Sequence, residues 1–205
     1  MGIFFLLCFY TFICPIFQNN ESRKTILELI EKTISSKYIF EGQVVRLRYD
    51  EVELPDGSFS TREIVEHNGG VAVAAITDND EIILVRQYRH PYGEVILEIP
   101  AGKMEKDEDP FECGKRELKE EAGAEAQHYE LLAVDYPSPG YCGEKIYIYY
   151  AEKLAFGEAQ LDEGEFLDVL FVPFEKAVEM VMSGEIKDSK TQIAILKIKA
   201  MRETK

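Results

Sequence analysis

The sequence predicts an α+β domain with α/β/α layers, in which a mixed β-sheet lies between helices. The main observation is the order of the predicted elements: strands come first, then one acidic helix, then further strands and two closing helices. The second is that 46% of the 205 residues are hydrophobic, which is enough to build a real core. A predicted hairpin near the start adds an N-terminal antiparallel β region.

The first part of the chain differs from the rest. Residues 3–17 are almost wholly apolar and uncharged, and this run is shorter than the ~20 residues that span a bilayer as a helix. The basic region and cleavage site of a signal peptide are not visible. Three interpretations stay open: a spurious or disordered leader, an anchor that leaves the chain facing the cytoplasm, or secretion. We expect residues 1–35 to hold this leader and a short helix, and residues 36–205 to form the domain.

Alternating and β-branched segments predict the strands. Val44–Leu54 and Phe59–His67 flank a Pro-Asp-Gly turn, which predicts a β-hairpin. Gly70–Thr77 and Glu81–Tyr88 flank Asp78-Asn79-Asp80, which predicts a second hairpin of fully buried strands. Further predicted strands are Val95–Ile99, Tyr129–Asp135, Lys145–Lys153 and Val169–Val172.

Capping signals define the central helix. Asp109 is a good N-cap, and Pro110 suits the first helical position. The helix is expected to run to Ala122 and to end at Gly123. Two closing helices are predicted over the segments Phe174–Ser183 and Ser189–Arg202.

The net charge of −15 excludes the basic surface of a nucleic-acid binder. Ten of the 38 acidic residues lie within residues 98–125, so acid is concentrated there. These carboxylates are either solvated surface or ligands of a divalent cation. The four cysteines form no Cys-x-x-Cys pair, which argues against zinc and fits a reducing compartment, so we expect a cytoplasmic protein.

The spacing of the acidic residues on the central helix favours metal binding. Glu117, Glu120 and Glu121 are expected to share one helix face. Like charges at this spacing repel each other, and a hard divalent cation between them reverses that penalty. Arg116 can hold one carboxylate in place, and the backbone carbonyl of Ala101 can turn toward the same cation. The alternative is the solvated face of an ordinary charged helix.

The segment from Gly102 to Ala124 resembles the signature of the Nudix hydrolase family, Gly-x5-Glu-x7-Arg-Glu-U-x-Glu-Glu-x-Gly-U, where U is apolar. The matching positions are Gly102, Glu108, Arg116, Glu117, Leu118, Glu120, Glu121 and Gly123. Ala124 is a small residue for the last apolar position. So many matches within one segment favour the metal site over a solvated helix face.

The resemblance extends from about Tyr38 to Leu196 and is most similar to the ADP-ribose pyrophosphatase branch. The similar motifs are Phe40-Glu-Gly, Leu54-Pro-Asp-Gly, Arg62-Glu-Ile-Val-Glu-His67, Gln87-Tyr-Arg89 and Glu98-Ile-Pro-Ala-Gly102. Pro139 lies sixteen residues after Gly123, where that branch typically has a proline. The resemblance implies a mixed sheet between helices and a homodimer formed through the N-terminal β region, residues 36–68.

The resemblance also implies an activity and its residues. It implies Mg²⁺-dependent hydrolysis of the diphosphate bond of ADP-ribose and related ADP-sugars to AMP and ribose 5-phosphate, with Mn²⁺ as a substitute ion. The implied metal ligands are Ala101, Glu117, Glu120, Glu121 and Glu165. The implied substrate contacts are Arg62, Arg89, Glu98, Pro139 and Gly140. Arg116 would orient a carboxylate and Glu120 would assist catalysis, while Glu108 would support the preceding loop.

Several alternatives stay open. Glu165 is favoured as the general base and Glu163 comes second, and the alternative for both is a solvated loop. For Arg62 and Arg89 the alternative is an ion pair on a strand surface. The substrate could be another nucleotide sugar, FAD or NAD(H), or the protein could sense ADP-ribose without turnover. Partners are expected to be a nucleoside diphosphate sugar but no nucleic acid, and membrane contact is expected only if residues 3–17 form an anchor.

Overall fold

The computed structural model describes residues 29–161 and 164–204. Its strands are β1 (Lys32–Glu41), β2 (Arg46–Glu53), β3 (Phe59–Glu66), β4 (Gly70–Ala75), β5 (Glu81–Arg89), β6 (Glu94–Glu98), β7 (Ala101–Lys103), β8 (Ala124–Asp135), β9 (Ile146–Phe156) and β10 (Leu167–Pro173). Its helices are α1 (Pro110–Ala122), α2 (Phe174–Met182) and α3 (Ser189–Glu203). None of these helices is long and apolar enough to cross a membrane. The predicted leader or anchor at residues 3–17 lies outside the described residues.

The chain divides into two compact units. Within the described residues, one comprises residues 29–37 and 49–62, and the other comprises residues 38–48, 63–161 and 164–204. Strands β1, β2 and β3 form a three-stranded sheet in that order. The sequence did not predict β1, because all ten of its residues are exposed and its apolar positions do not alternate regularly. The β region therefore begins at Lys32, within the segment predicted to hold the leader and a short helix.

The second unit contains two further sheets. The larger has the strand order β7-β4-β9-β8, in which β4 and β9 are parallel and the other neighbours are antiparallel. The smaller has the order β10-β5-β6 and is antiparallel throughout. The predicted mixed sheet is therefore confirmed.

The predicted hairpin of β4 and β5 is wrong, because these strands belong to different sheets. The turn itself is present: Thr77 N–H donates to the Glu81 carbonyl (2.9 Å), and Ile76 and Ile82 form an isolated antiparallel bridge. Beyond this bridge, β4 pairs with β7 on one side and with β9 on the other. Since β9 pairs along the whole of β4 and β7 pairs with its first three residues, β5 finds its partners in β6 and β10 instead.

The helices cover both faces of β4, and alternate residues of this strand contribute to two hydrophobic clusters. Ala72 and Ala74 pack into a cluster with residues of α2 and α3. Val71, Val73 and Ala75 pack into a second cluster with Cys113 and Leu118 of α1 (both at 0% exposure). This arrangement confirms the predicted α/β/α layers.

Helix α1 has the predicted bounds. The Asp109 carboxylate accepts hydrogen bonds from the N–H groups of Phe111 (3.0 Å) and Glu112 (3.2 Å), which caps the helix. Gly123 adopts a left-handed conformation with φ of 61°, and its N–H donates to the Lys119 carbonyl (3.0 Å). This conformation ends the helix, and glycine adopts it without the strain that a residue with a Cβ atom would have.

Candidate active site

A cavity of about 450 Å³ lies in the larger unit, where α1 meets the ends of several strands. Of the residues predicted for a site, those that line it are Arg89, Ala101, Arg116, Glu117, Glu121 and Glu165. These residues come from β5, β7, α1 and the segment before β10. The fold therefore gathers most of the predicted metal-binding residues and one predicted substrate contact at a single cavity.

Glu121 is the most deeply placed acid of the cavity, with only 4% of its surface exposed. Ala101 N–H donates a hydrogen bond of 2.9 Å to its carboxylate. Burial raises the pKa of Glu121 to about 8, and the negative charges of Glu117 and Glu165 act in the same direction, while the Ala101 hydrogen bond opposes the shift. Burial also raises the pKa of Glu117, against the opposing charge of Arg116. The site thus holds carboxylates whose ionised form is poorly stabilised by the protein alone.

Strand β7 approaches α1 very closely at Gly102. A Cβ atom built on this residue would lie 1.9 Å from the carboxyl carbon of Glu117. The Glu117 carboxylate therefore occupies the space that any side chain at this position would need. Glycine is required here because of close packing, and φ at this position is not in the left-handed region.

Arg116, which lines the cavity, contacts three carboxylates. Its guanidinium donates to Glu108 (Nε to Oε1, 3.0 Å) and Glu120 (Nη1 to Oε2, 2.9 Å), and it pairs with Glu117 at 2.8 Å. Glu108 also accepts a hydrogen bond from the N–H of Glu105 (2.8 Å), which stabilises the loop before α1. Arg116 thus orients Glu117, whereas Glu120 faces Arg116 and is not among the residues that line the cavity.

Arg89 and Lys190 are basic residues of the same cavity. Arg89 donates twice to Glu98, from Nε to Oε1 (2.5 Å) and from Nη2 to Oε2 (2.9 Å), and Lys190 donates to Glu98 Oε2 as well. Although burial opposes it, the hydrogen bonds from Arg89 and the charge of Lys190 hold the pKa of Glu98 below its ordinary value. Glu98 does not line the cavity, and its carboxylate supports Arg89 instead.

The other predicted substrate contacts are not among the residues that line this cavity. Pro139 and Gly140 are exposed, in a loop whose Tyr141 carbonyl accepts a hydrogen bond from the N–H of Val65 (2.8 Å). Arg62 belongs to the smaller unit, where it donates to the Glu31 carboxylate (Nε to Oε2, 2.9 Å). For Arg62 the structure shows the ion pair that was the alternative to a substrate contact. Glu163 lies outside the described residues.

The lining residues that were not predicted for the site include His67, Glu144 and Lys190. His67 Nδ1 lies 3.3 Å from a carboxylate oxygen of Glu144 and accepts a hydrogen bond from the N–H of Gly69 (3.0 Å). The sequence gives a weak signal for His67 only, which ends one of the motifs quoted above. Glu144 and Lys190 reach the cavity through tertiary packing, which their local sequence does not reveal.

The donor chemistry of Glu117 and Glu121 fits a hard divalent cation. Such ions prefer carboxylate and carbonyl oxygens, and a cation would relieve the repulsion and poor solvation that raise both pKa values. Within residues 29–161 and 164–204, no group of three or more His, Cys, Asp or Glu side chains is already gathered as a metal site. A complete shell would therefore need backbone oxygens or water beside these two carboxylates.

Comparison with known proteins supplies independent findings. Residues 66–191 match the NUDIX domain, and residues 31–65 match the nucleoside diphosphate sugar hydrolase N-terminal domain. The chain is 46% identical over 169 residues to the ADP-ribose pyrophosphatase of Bacillus subtilis, covering 82% of this chain and 91% of that protein. It is 48% identical over 167 residues to the methanol dehydrogenase activator of Bacillus methanolicus, covering 80% and 90%. The crystal structure of an ADP compounds hydrolase has the same fold, with a TM-score of 0.75 at 21% identity over 85% of this chain and 95% of that one.

Proposed function

Since this chain belongs to the Nudix hydrolase family, we propose that it hydrolyses the diphosphate bond of ADP-ribose to AMP and ribose 5-phosphate. The observation that carries the proposal is one cavity that brings buried Glu117 and Glu121 together with Arg89. Carboxylates of this kind bind divalent cations, and a guanidinium binds phosphate oxygens. The similarity to an ADP-ribose pyrophosphatase over 82% of the chain supports ADP-ribose as the substrate.

Mg²⁺ is the proposed cofactor, with Mn²⁺ as a substitute. Glu117, Glu121 and the carbonyl of Ala101 would hold the ion, and Glu120 could join them only by leaving Arg116. An ion bound there would neutralise the carboxylates, polarise a phosphoryl oxygen and acidify a bound water molecule. This explains how a protein with a net charge of −15 can accept an anionic substrate.

Arg89 is the proposed contact for the diphosphate. Within the described part of the chain, Glu98 engages its Nε and Nη2 donors, so Nη1 can bind a phosphate oxygen. The bidentate pair with Glu98 fixes the plane of the guanidinium before the substrate arrives. Arg116, in contrast, is already paired with the carboxylates of Glu108, Glu117 and Glu120. Its proposed role is to orient Glu117.

Glu165 is the proposed general base. It lines the cavity and its negative charge contributes to the raised pKa values of Glu117 and Glu121. An exposed carboxylate at this place can accept the proton that an attacking water molecule loses. Glu163 stays the second candidate for this role.

The products of turnover provide the direct test. We expect purified protein with ADP-ribose and MgCl₂ to release AMP and ribose 5-phosphate, detected by chromatography, and EDTA to abolish the reaction. A panel of ADP-glucose, GDP-mannose, FAD and NADH, ranked by kcat/KM, tests the substrate. A higher kcat/KM for one of these compounds would contradict ADP-ribose as the main substrate. Binding of ADP-ribose without any turnover of the panel would favour a sensing module instead.

We also propose that the N-terminal β region, residues 36–68, forms a homodimer. Strand β1 is exposed along its whole length, and within this region it carries the large apolar side chains of Tyr38, Ile39 and Phe40. Exposed apolar surface of this kind is typical of an interaction site. We expect light scattering to give a molar mass of twice 23.4 kDa, and Phe40→Glu to give monomers. A monomeric wild-type protein at micromolar concentration would contradict this proposal.

A further inference from the structure

A chain of ion pairs links the start of α3 to Arg89 through the buried side chains of Lys190 and Glu98. Asp188 Oδ1 accepts a hydrogen bond from Lys190 Nζ (2.9 Å), and Lys190 Nζ also donates to Glu98 Oε2. Glu98 then accepts two hydrogen bonds from Arg89. Glu98 is 2% exposed and Lys190 is 8% exposed, so neither charge is solvated by bulk water. The Glu98–Lys190 pair at the centre of this chain therefore depends on Arg89 and Asp188 to compensate for burial.

The outer end of this chain is fixed to the protein frame. Asp188 is the N-cap of α3, and its Oδ2 atom accepts hydrogen bonds from both the N–H (3.0 Å) and the hydroxyl (2.6 Å) of Thr191. The same Thr191 hydroxyl accepts a hydrogen bond from the N–H of Ile99 (2.9 Å), the residue directly after Glu98. The start of α3 and the end of β6 thus form one rigid support around Lys190.

Lys190 completes the set of donors around the Glu98 carboxylate. Arg89 supplies two donors, and Lys190 adds a third at Oε2, the oxygen that also accepts from Arg89 Nη2. Three donors fix the plane of the carboxylate, and a bidentate guanidinium lies in that same plane. Without the third donor, the carboxylate and Arg89 can rotate together as a pair.

We propose that Lys190 is a positioning residue that holds Glu98 and thereby sets the orientation in which Arg89 meets the diphosphate of the substrate. This inference rests on the proposed function, because that function assigns Arg89 to the diphosphate. Two of the three N–H donors of Lys190 are committed to Glu98 and Asp188, which favours an action through Arg89 over direct substrate contact.

The first test compares Lys190→Met with a matched control. Lys187→Met is the control. Lys187 lies three residues before Lys190 and pairs with Glu94 (2.7 Å), which belongs to β6 as Glu98 does, but its side chain is solvent-exposed. We expect Lys190→Met to raise KM for ADP-ribose about tenfold or more with a smaller change in kcat, and Lys190→Arg to restore most of the loss. Lys187→Met should match the wild type. A wild-type KM in Lys190→Met would overturn the proposal.

A double-mutant cycle separates positioning from the other roles. If Lys190 acts through Arg89, then Lys190→Met should have little further effect on KM in an Arg89→Ala background. Additive effects on KM would show direct substrate contact and overturn the proposal. A fall in melting temperature and kcat with unchanged KM would show a merely structural role and would also overturn it.

Calorimetric binding of ADP-ribose distinguishes the failure of this inference from the failure of the proposed function. If the wild-type protein binds ADP-ribose but releases no AMP, the proposed function is wrong, and the affinity of Lys190→Met still tests the positioning role. Weaker binding by Lys190→Met than by Lys187→Met would support it, and equal binding would overturn it. A wild-type protein that neither binds nor hydrolyses ADP-ribose would overturn both.

Discussion

Replacing Glu121 with glutamine should remove most of the turnover and at the same time stabilise the metal-free protein at alkaline pH. Glutamine keeps the size of the side chain and its acceptor for the Ala101 N–H, but it loses the negative charge that a cation needs. We expect kcat for ADP-ribose to fall about 100- to 1,000-fold, as for the loss of one electrostatic element of a catalytic site. Steady-state kinetics with saturating MgCl₂ measure this loss.

The stability effect follows from the raised pKa of Glu121. The ordinary pKa is 4.5 and the folded protein raises it to about 8, so the folded state keeps a proton that the unfolded chain has lost. The contribution of this raised pKa to the free energy of unfolding is fully present below pH 4.5 and is lost as the pH rises to about 8. Each pKa unit corresponds to about 1.4 kcal/mol, so the loss reaches a few kcal/mol. Glu121→Gln should therefore melt at a higher temperature than the wild type at pH 8.5 in EDTA, and at a similar temperature near pH 4.5.

Glu112→Gln is the matched control for this prediction. Glu112 lies on the same helix but is exposed and pairs with Lys115 (2.9 Å). We expect this variant to keep both the wild-type kcat and the wild-type dependence of melting temperature on pH. A wild-type kcat in Glu121→Gln would refute its role as a metal ligand, and a melting difference that does not vary with pH would refute the raised pKa.

Gly102→Ala, which adds a single methyl group, should lower activity about as strongly as Glu121→Gln. In Gly102→Ala the new Cβ would lie 1.9 Å from the Glu117 carboxyl carbon, so this carboxylate has to leave its place beside Arg116 and the cavity. We expect kcat/KM to fall on the order of 100-fold, because one of the two buried carboxylates is displaced. The same kinetic assay measures this, and circular dichroism checks that the variant is folded.

The control for Gly102→Ala is Gly157→Ala, since a Cβ at Gly157 would have its nearest neighbour at an ordinary contact distance of 3.9 Å. This variant should keep wild-type kcat/KM. If Gly102 acts through Glu117, the double variant Gly102→Ala/Glu117→Gln should be no slower than Glu117→Gln alone. Additive losses would mean that Gly102 matters for another reason, such as the pairing of β7 with β4.

The sequence predicted the bounds of α1 well because the signals that set them are local. The bounds of this helix depend on Asp109, Pro110 and Gly123, whose effects act within a few residues. Arg116 Nη1 pairs with both Glu117 (2.8 Å) and Glu120 (2.9 Å), so these two carboxylates lie on the same side of the helix. Glu120 lies one turn after Arg116, at i,i+4, and is not among the residues that line the cavity. The spacing alone could not show which partner this carboxylate would find.

The parts that were not predicted depend on contacts between distant segments. An Asp-Asn-Asp turn between two buried strands is equally compatible with a hairpin and with two sheets. The choice depends on β9, which lies about seventy residues later and pairs with β4. Lys190 likewise reaches Glu98 across 92 residues of sequence. Periodicity and capping rules carry no information on such distant pairs.

The separation of β4 from β5 has a consequence for how substrate preference can change. The strands are joined at the Ile76–Ile82 bridge, and the cavity is lined by the far ends of both, at Gly70 on β4 and at Gln87 and Arg89 on β5. Ile76 and Ile82 are both buried, so a larger substrate can extend only toward the strand ends that line the cavity. We therefore expect related proteins to acquire new leaving groups through insertions and substitutions in surface loops, while the Ile76–Ile82 bridge stays the same.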